Sequence, residues 1–449
     1  MKGLILVYAI ALIGAVVALK KPAIGLIIYV GFSVLRPHYL FGWAGDLSGL
    51  SDLIAIPMII GWVVNNFGTW KLGRGRPIAL SLTLFAVWIF IGCVDAQNTT
   101  VAFNSALNLG KTLLPFLIGI TTLDSDIRVK QMTWTIVGAQ AYISYELNMS
   151  YLSGFNRAAY EGYGGMDSNS FGISLISTIG PALAFTLWGR SWKERAIAAV
   201  CSLLILHTTL LTFSRGAMIG LATVGLCAFL MLPKRPKYLA GAVVVFLITA
   251  RLVGPELMAR YESAFVEEEV RDASAQSRVE LWKACLEVIQ AKPLFGVGFK
   301  NFGFVAANYG FTEGKEAHST WLQVTAEVGI VGGLALLSCY FWTVIRLWPI
   351  SRLSKVDINR PDIPLAFGII LSVVGFCVSA QFVTLEGLET PYYMAMLGVV
   401  LLKRQGVVVV AQPAVPVAVP APAMSVRIVP PPRLQPAQPV RPGRLIQRV

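Results

Sequence analysis

Charged side chains are scarce in this chain. They make up 14% of its 449 residues, while 55% are hydrophobic; soluble globular domains carry roughly 25% charged residues. That deficit excludes an ordinary soluble domain and indicates an integral membrane protein. Histidine occurs three times, as His38, His207 and His318, so chemistry that needs an imidazole has few places to reside. Cysteines number six. Five of them, Cys93, Cys201, Cys227, Cys339 and Cys377, fall in apolar runs, Cys285 falls outside, and the spacing gives neither a disulfide framework nor a metal site. No internal repeat marks a transporter built from two inverted halves.

What the sequence has instead is a series of apolar runs. A helix crossing the hydrocarbon core needs roughly 20 mostly apolar residues. Candidate runs lie at 3 to 19, 22 to 36, 51 to 67, 77 to 95, 103 to 122, 129 to 147, 171 to 189, 196 to 212, 216 to 233, 238 to 253, 318 to 345, 364 to 383 and 391 to 402. They predict an all-α, polytopic membrane protein with twelve or thirteen transmembrane helices. The first run is read as an uncleaved helix, because no small-x-small cleavage site precedes a polar start.

Basic residues orient the bundle, since cytoplasmic loops retain lysine and arginine. Alternate connections are basic: "KK" at 20, "KLGRGR" at 71 to 76, "RVK" at 128, "GRSWKER" at 189, "KRPK" at 234, "RLWPISRLSKVDINR" at 346 and "KR" at 403. These are expected to face the cytoplasm. The intervening connections would face the other side, including a 64-residue loop from Gly254 to Ala317. The chain therefore divides into helices over 1–253, the large loop over 254–317, helices over 318–403 and a tail over 404–449. Ten of the 24 prolines lie in that tail, which is expected to be disordered. From Lys403 onward the chain carries seven basic residues and no acid, out of a net charge of +13. Beside a membrane such a tail meets anionic lipid headgroups rather than nucleic acid.

The loop departs from lipid-facing composition. Val279, Trp282, Leu286 and Ile289 recur at helical spacing and predict an amphipathic helix over 276–291 lying at the membrane surface. Pro293 ends it, and "PLFGVGFKNFGF" reads as a close turn packed on the bundle. Topology sets Arg215, Arg278 and His318 at the same outer depth. Each has an ordinary reading: a snorkelling arginine, a solvated helix position, an interfacial histidine. If the helix includes His318, then Leu322, Thr325, Gly329 and Gly332 lie within about 40° of it. The glycines would let a neighbouring helix approach, and the histidine would face inward. Glu327 falls about 180° away and is expected to contact a different helix, since ionisable groups rarely face lipid.

His318-Ser319 followed by Gly329-x-x-Gly332, preceded by a large outer loop, "SRG" at 214 to 216, Arg278 with "LW" after it, and "KPLFGVGFKNF", resembles the signature of the O-antigen ligase and O-antigen polymerase superfamily. The opening "KKPAIGLIIYVGFSVLRPH" and "GGMDSNSFG" at 164 to 172 are similar to the O-glycosylation ligase branch associated with exosortase systems. The resemblance implies a glycosyltransferase of the bacterial inner membrane whose active site, with the large loop over 254–317, faces the periplasm. Its donor would be a glycan on undecaprenyl diphosphate; its acceptor, a hydroxyl of lipid A core, another glycan or a protein. It implies Arg215 and Arg278 as diphosphate ligands and His318 as the residue beside the acceptor hydroxyl.

The residue types suit that chemistry. Guanidinium forks bind diphosphate oxygens in bidentate fashion, so the reaction needs neither metal nor cofactor on this reading. An imidazole with a pKa near about 6.5 accepts a proton at neutral pH. Lys111 is a further candidate ligand for phosphate, because a lysine inside a span is costly unless it pairs or lines a polar cavity. Asp167 and Asn169 are candidate glycan contacts, with helix capping as their ordinary role. "DSD" at Asp124 to Asp126 imitates a metal motif, but its predicted cytoplasmic position favours helix capping. Arg36 and His38 are read as interfacial. Two other functions fit a polytopic chain with membrane arginines: a polymerase extending a lipid-linked glycan, and a non-enzymatic polysaccharide flippase.

Overall fold

The computed structural model describes residues 2–41, 47, 49–236, 238, 240, 241, 243, 244, 247, 251, 268–352 and 362–408. Among them there is no β-strand, only an isolated bridge between Tyr163 and Met166. The helices are α1 (Lys2–Lys20), α2 (Pro22–Leu35), α3 (Pro37–Leu40), α4 (Leu50–Val64), α5 (Arg76–Gly92), α6 (Thr99–Thr122), α7 (Asp126–Leu152), α8 (Arg157–Tyr160), α9 (Ser168–Trp188), α10 (Trp192–Leu211), α11 (Arg215–Met231), α12 (Glu268–Ala291), α13 (Phe302–Ala306), α14 (Thr320–Leu347), α15 (Asp362–Ser379) and α16 (Glu389–Val408). By length and apolarity α1, α5, α6, α9, α10, α14 and α15 could each cross a membrane, and α2, α4 and α11 are shorter apolar helices. With α7 and α16 these cover twelve of the thirteen predicted runs. The run at 238 to 253 lies largely outside the described residues, as does the tail from 409 onward. The chain is thus an all-α polytopic membrane protein.

Helix association in lipid relies on close packing rather than on the hydrophobic effect, and the centre of this bundle follows that rule. A Cβ built on Gly180 of α9 would lie 2.0 Å from Gly368 O of α15, and one on Gly220 of α11 would lie 1.9 Å from Ser379 Oγ. Helix α16 is the most enclosed element, its apolar side chains from Tyr392 to Leu402 being at most 1% exposed. Peripheral α1 instead shows Ile5, Leu6, Leu12, Ile13 and Val16 to its surroundings.

The connections gather at two ends of the bundle, of which the one carrying Lys20, Lys21, Lys403 and Arg404 is termed the basic end. At one, Lys403 donates to Thr69 O at 3.3 Å and Ile120 O at 3.2 Å, Arg404 pairs with Asp126, and Lys130 pairs with Glu194 at 2.7 Å. The first two helices form a hairpin, since Gly14 of α1 abuts Ile28 of α2; Lys20 and Lys21 turn at the basic end, where Gly61 of α4 meets the Ala18 and Leu19 carbonyls. At the other end, Arg36 pairs with Glu389 at 3.2 Å, Lys292 with Asp95 at 3.6 Å, and Asn301 Oδ1 accepts from Asn98 N at 2.6 Å. The start of α14 lies at this second end.

The loop helix α12 forms, but its packed face is not the predicted one. Leu281, Ala284, Cys285 and Val288 are buried, whereas Val279 and Leu286 are 41% and 48% exposed. The packed stripe is rotated by about 120° from the expected one. Ala284 and Cys285 are small enough to let α12 lie close against Phe302, Val305, Ala306, Ala317 and Ala326, and together these residues form a core of the loop's own.

Candidate active site at the loop end of the bundle

The backbone around His318 is a capped turn, which corrects the expectation of a helical stripe through it. Helix α14 starts at Thr320, with Ser319 as its N-cap accepting from Leu322 N at 3.4 Å. His318 precedes the cap with φ 51°, a left-handed conformation that costs a non-glycine residue about 1–2 kcal/mol. Its neighbours hold it there. Ala317 N donates to Gln323 Oε1 at 2.8 Å, and Ala317 O accepts from Trp282 Nε1 of α12 at 3.0 Å. On the other side Thr320 N donates to Ala380 O and Val383 O, Thr320 Oγ1 donates to Val383 O at 2.7 Å, and it accepts from Leu385 N at 2.9 Å. The histidine is fixed between loop helix and the α15–α16 connection, and its side chain is half-buried.

Arg215 is presented by the same local device. Phe213 has φ 51°, Ser214 caps α11 by accepting from Ala217 N at 3.2 Å, and Arg215 opens the helix in an exposed position. Gly216 packs on Phe382, which belongs to the same connection that grips Thr320. Gly172 in the first turns of α9 packs on Thr212, Ser214 and Ala217. Two serine-capped helix starts thus meet one connection. Unsatisfied N–H groups at such starts favour anions.

Asp167 caps α9, its Oδ1 accepting from Ser170 N at 2.8 Å, and Asn169 is half-buried in the first turn. The capping role does not remove Asp167 from the site, because its charge acts on both His318 and Glu316. Burial holds the His318 imidazole below its ordinary value; nearby Arg278 and Lys315 add to this and Asp167 opposes it. Neutral imidazole with a free lone pair is therefore the favoured form at neutral pH. Arg278, half-buried on α12, is the strongest charged influence on it.

Behind the histidine lies a polar core that the sequence did not reveal. Helix α14 breaks at Gly329, whose φ of 73° and ψ of 176° are not helical. The turn segment from Pro293 to Gly298 is stitched into the break: Ile330 N donates to Pro293 O at 2.8 Å, Val297 N to Ala326 O at 3.1 Å and Gly298 N to Glu327 O at 2.8 Å. A Cβ on Gly329 would lie 2.1 Å from Leu294 O, and one on Gly296 2.4 Å from Ala326 O. Trp88 Nε1 donates to Leu294 O and Val328 O, each at 3.1 Å, and its ring stacks on Phe295. Gly329 permits close approach of a loop rather than of a helix, whereas Gly332 faces Trp88 of α5.

Glu327 contacts this loop and its own helix instead of the different helix expected for it, accepting from Lys300 N at 2.9 Å and from Gln323 Nε2 at 3.1 Å. Lys300 pairs with buried Glu386 and stands 3.8 Å from Glu316. Burial works against the Lys300 ammonium, but Glu386 and Glu327 outweigh it and raise the amine above its ordinary value. Burial also raises the Glu316 carboxyl; Lys300 opposes the rise and Glu386 and Asp167 add to it. A carboxylate inside a span needs a partner, so Glu327 was the signal that could have directed attention to Lys300 and Glu386 in the adjoining loops. Beside this core opens a cavity of about 440 Å³ lined by Val101, Lys300, Gly303, Phe304, Glu313, Gly314, Glu316, Gln323 and Glu327.

Other candidates lie elsewhere. Lys111 is exposed on α6, on the face that carries Val101, Asn104 and Asn108 by helical spacing. Ser125 stands at the N-cap of α7 without a side-chain capping bond; Asp126 pairs with Arg404 and the Asp124 charge acts on Lys403, so the "DSD" acids hold the basic end instead of capping. Arg36 is not simply interfacial: besides pairing with Glu389 it donates to the Gly164 carbonyl. His207 lies within α10, its Nδ1 hydrogen-bonded to Asn148 Oδ1. Among the described residues no group of three His, Cys, Asp or Glu side chains is placed to hold a metal ion.

Residues 197–337 match the O-antigen ligase family. The stretch runs from α10 to the middle of α14 and includes Arg215, Arg278, His318 and most of the cavity wall. An uncharacterized protein of Haemophilus influenzae is 25% identical over 239 residues, covering 46% of this chain and 57% of that protein; the chain thus spans little more than half of that relative's length. The family match falls on the residues that carry the resemblance in the sequence, and over that stretch the chain is similar to the O-antigen ligases.

Proposed function

We propose that this membrane protein, whose family points to glycan ligation or polymerisation, transfers a glycan from undecaprenyl diphosphate to an acceptor hydroxyl. The observation that carries the reading is that half-buried His318, fixed in the turn before α14, lies within the charge influence of Arg278 and Asp167 at the bundle end where Arg215 opens α11. Arg215 and Arg278 hold the diphosphate, whose charge grows as its bond to the sugar C1 breaks; stabilising such developing charge is often the largest catalytic term. His318 takes the acceptor proton as the acceptor oxygen attacks C1, and the diphosphate leaves with the electron pair. One displacement inverts the anomeric centre. Asp167 and Asn169 face the glycan, and Lys111 meets the donor phosphate along α6. The step is independent of metal.

On this reading the site faces the periplasm, opposite the basic end of the bundle. The acceptor is lipid A core, or a protein if the likeness to the O-glycosylation branch holds. Purified protein incubated with lipid-linked glycan and each acceptor, with and without a chelator, tests this by product mass. Glycan on lipid A core or protein supports a ligase, and longer lipid-linked glycan supports a polymerase. Unreacted donor with every acceptor, together with glycan movement across vesicles, would replace the enzyme with a flippase.

A further inference from the structure

We propose that the cavity beneath the loop is a binding site for an uncharged saccharide unit, adjoining the phosphate-holding side of the site; the inference rests on the glycan-transfer reading. Its volume of about 440 Å³ lies within the roughly 300–1,000 Å³ of small-molecule sites. Its wall chemistry is selective. Exposed Glu313 and Glu316 present carboxyl groups beside the Lys300 ammonium, which Glu386 already engages, so a phosphate or diphosphate meets no unpaired cation there, whereas sugar hydroxyls donate well to carboxylate oxygens. Phe304 is 36% exposed on the same wall and offers a flat apolar surface to the C–H face of a pyranose.

The cavity floor is fixed before any ligand arrives. Glu327 is 1% exposed and held by Lys300 N and Gln323 Nε2, while Gln323 Oε1 accepts from Ala317 N and Thr384 Oγ1. Preorganised polar groups of this kind reduce the ordering cost of binding. Glu316 connects the cavity to the chemistry: it lies on the wall and stands two residues before His318. A saccharide seated here has its phosphate-bearing or hydroxyl-bearing end toward the arginines and the imidazole, while the carboxylates prevent it from binding reversed. The source of the saccharide, donor glycan or acceptor, is a separate matter of which substrate loses affinity when the wall changes.

The test is saturation-transfer NMR on the detergent-solubilised full chain with methyl glucoside, methyl N-acetylglucosaminide and methyl rhamnoside. At least one glycoside should bind saturably. Phe304→Ala and Glu316→Gln, both at partly exposed positions, should each weaken it five-fold or more at unchanged thermal stability, and Arg215→Ala should leave it unchanged. Failure of all three glycosides to bind folded protein, or binding indifferent to both wall substitutions, overturns the proposal. In transfer assays the same variants should raise KM for one substrate: the acceptor if the cavity holds its sugar, the donor if it holds the donor glycan. Saccharide binding without transfer would remove the proposed reaction and keep the site; transfer without saccharide binding would do the opposite.

Discussion

Gly329→Ala is expected to damage this protein out of proportion to the methyl group it adds. At φ 73° and ψ 176° the residue occupies a region of backbone space open almost only to glycine, at a cost of about 1–3 kcal/mol for any other residue. The new Cβ would also meet Leu294 O at 2.1 Å, Leu294 C at 2.4 Å and Phe295 N at 2.8 Å. All three are backbone atoms of the inserted segment, so no side chain can swing aside, and overpacking adds roughly 1–3 kcal/mol more. Together these give roughly 2–6 kcal/mol, against about 5–15 kcal/mol for a typical folded domain. Gly225→Ala in α11 is the control. Nothing lies within 4 Å of its Cβ position, and removing a helical glycine should be neutral or stabilise by about 0.5–1 kcal/mol. Thermal unfolding of both variants in detergent should show an apparent melting temperature several degrees lower for Gly329→Ala only, with transfer reduced because the segment carries Lys300 toward Glu327. Equal melting temperatures and equal activities would refute the inserted-segment account.

Three further outcomes follow from the charges. The acid limb of the pH profile of kcat/KM reports His318 titration; because Arg278 lowers and Asp167 raises its proton affinity, Arg278→Ala should move the limb to higher pH and Asp167→Asn to lower pH, and a limb fixed in both variants would exclude His318 as the base. Glu386→Ala strands Lys300 beside Glu327 and should destabilise toward the low end of the roughly 3–5 kcal/mol seen when a buried pair loses one member, since the Lys300 side chain keeps 36% exposure; denaturation should show the double change Lys300→Met, Glu386→Leu to be milder than Glu386→Ala alone. Asp126→Ala removes an exposed pair at the basic end, a loss worth about 0–1 kcal/mol, and should leave the transfer rate unchanged.

The helices were legible in the sequence because the membrane imposes them: backbone groups must be satisfied within each span. Local detail was less legible where two patterns overlapped. Along α12 both the Val279, Trp282, Leu286, Ile289 stripe and the Leu281, Ala284, Cys285, Val288 stripe have helical spacing, and the size of Ala284 and Cys285 chose the second. His318 and Ser319 continue an apolar pattern, so periodicity joined the histidine to the helix; the cap and the left-handed turn that exclude it are stereochemical. The grouping of Lys300, Glu316, Glu327 and Glu386 depends on a break at Gly329 that composition does not announce. A buried glutamate in an apolar run was its one visible sign.

The most direct measurement is the mass of products formed by purified wild-type and His318→Ala protein from the same lipid-linked donor and acceptor, with donor affinity measured alongside. A general base contributes typically 10²–10⁴-fold. Wild-type protein should join glycan to the acceptor, while His318→Ala should bind donor as tightly and form product at least about 100-fold more slowly. Undiminished product from His318→Ala would contradict the assignment of His318 as the base, and no joined product from folded wild-type protein would contradict glycan transfer itself.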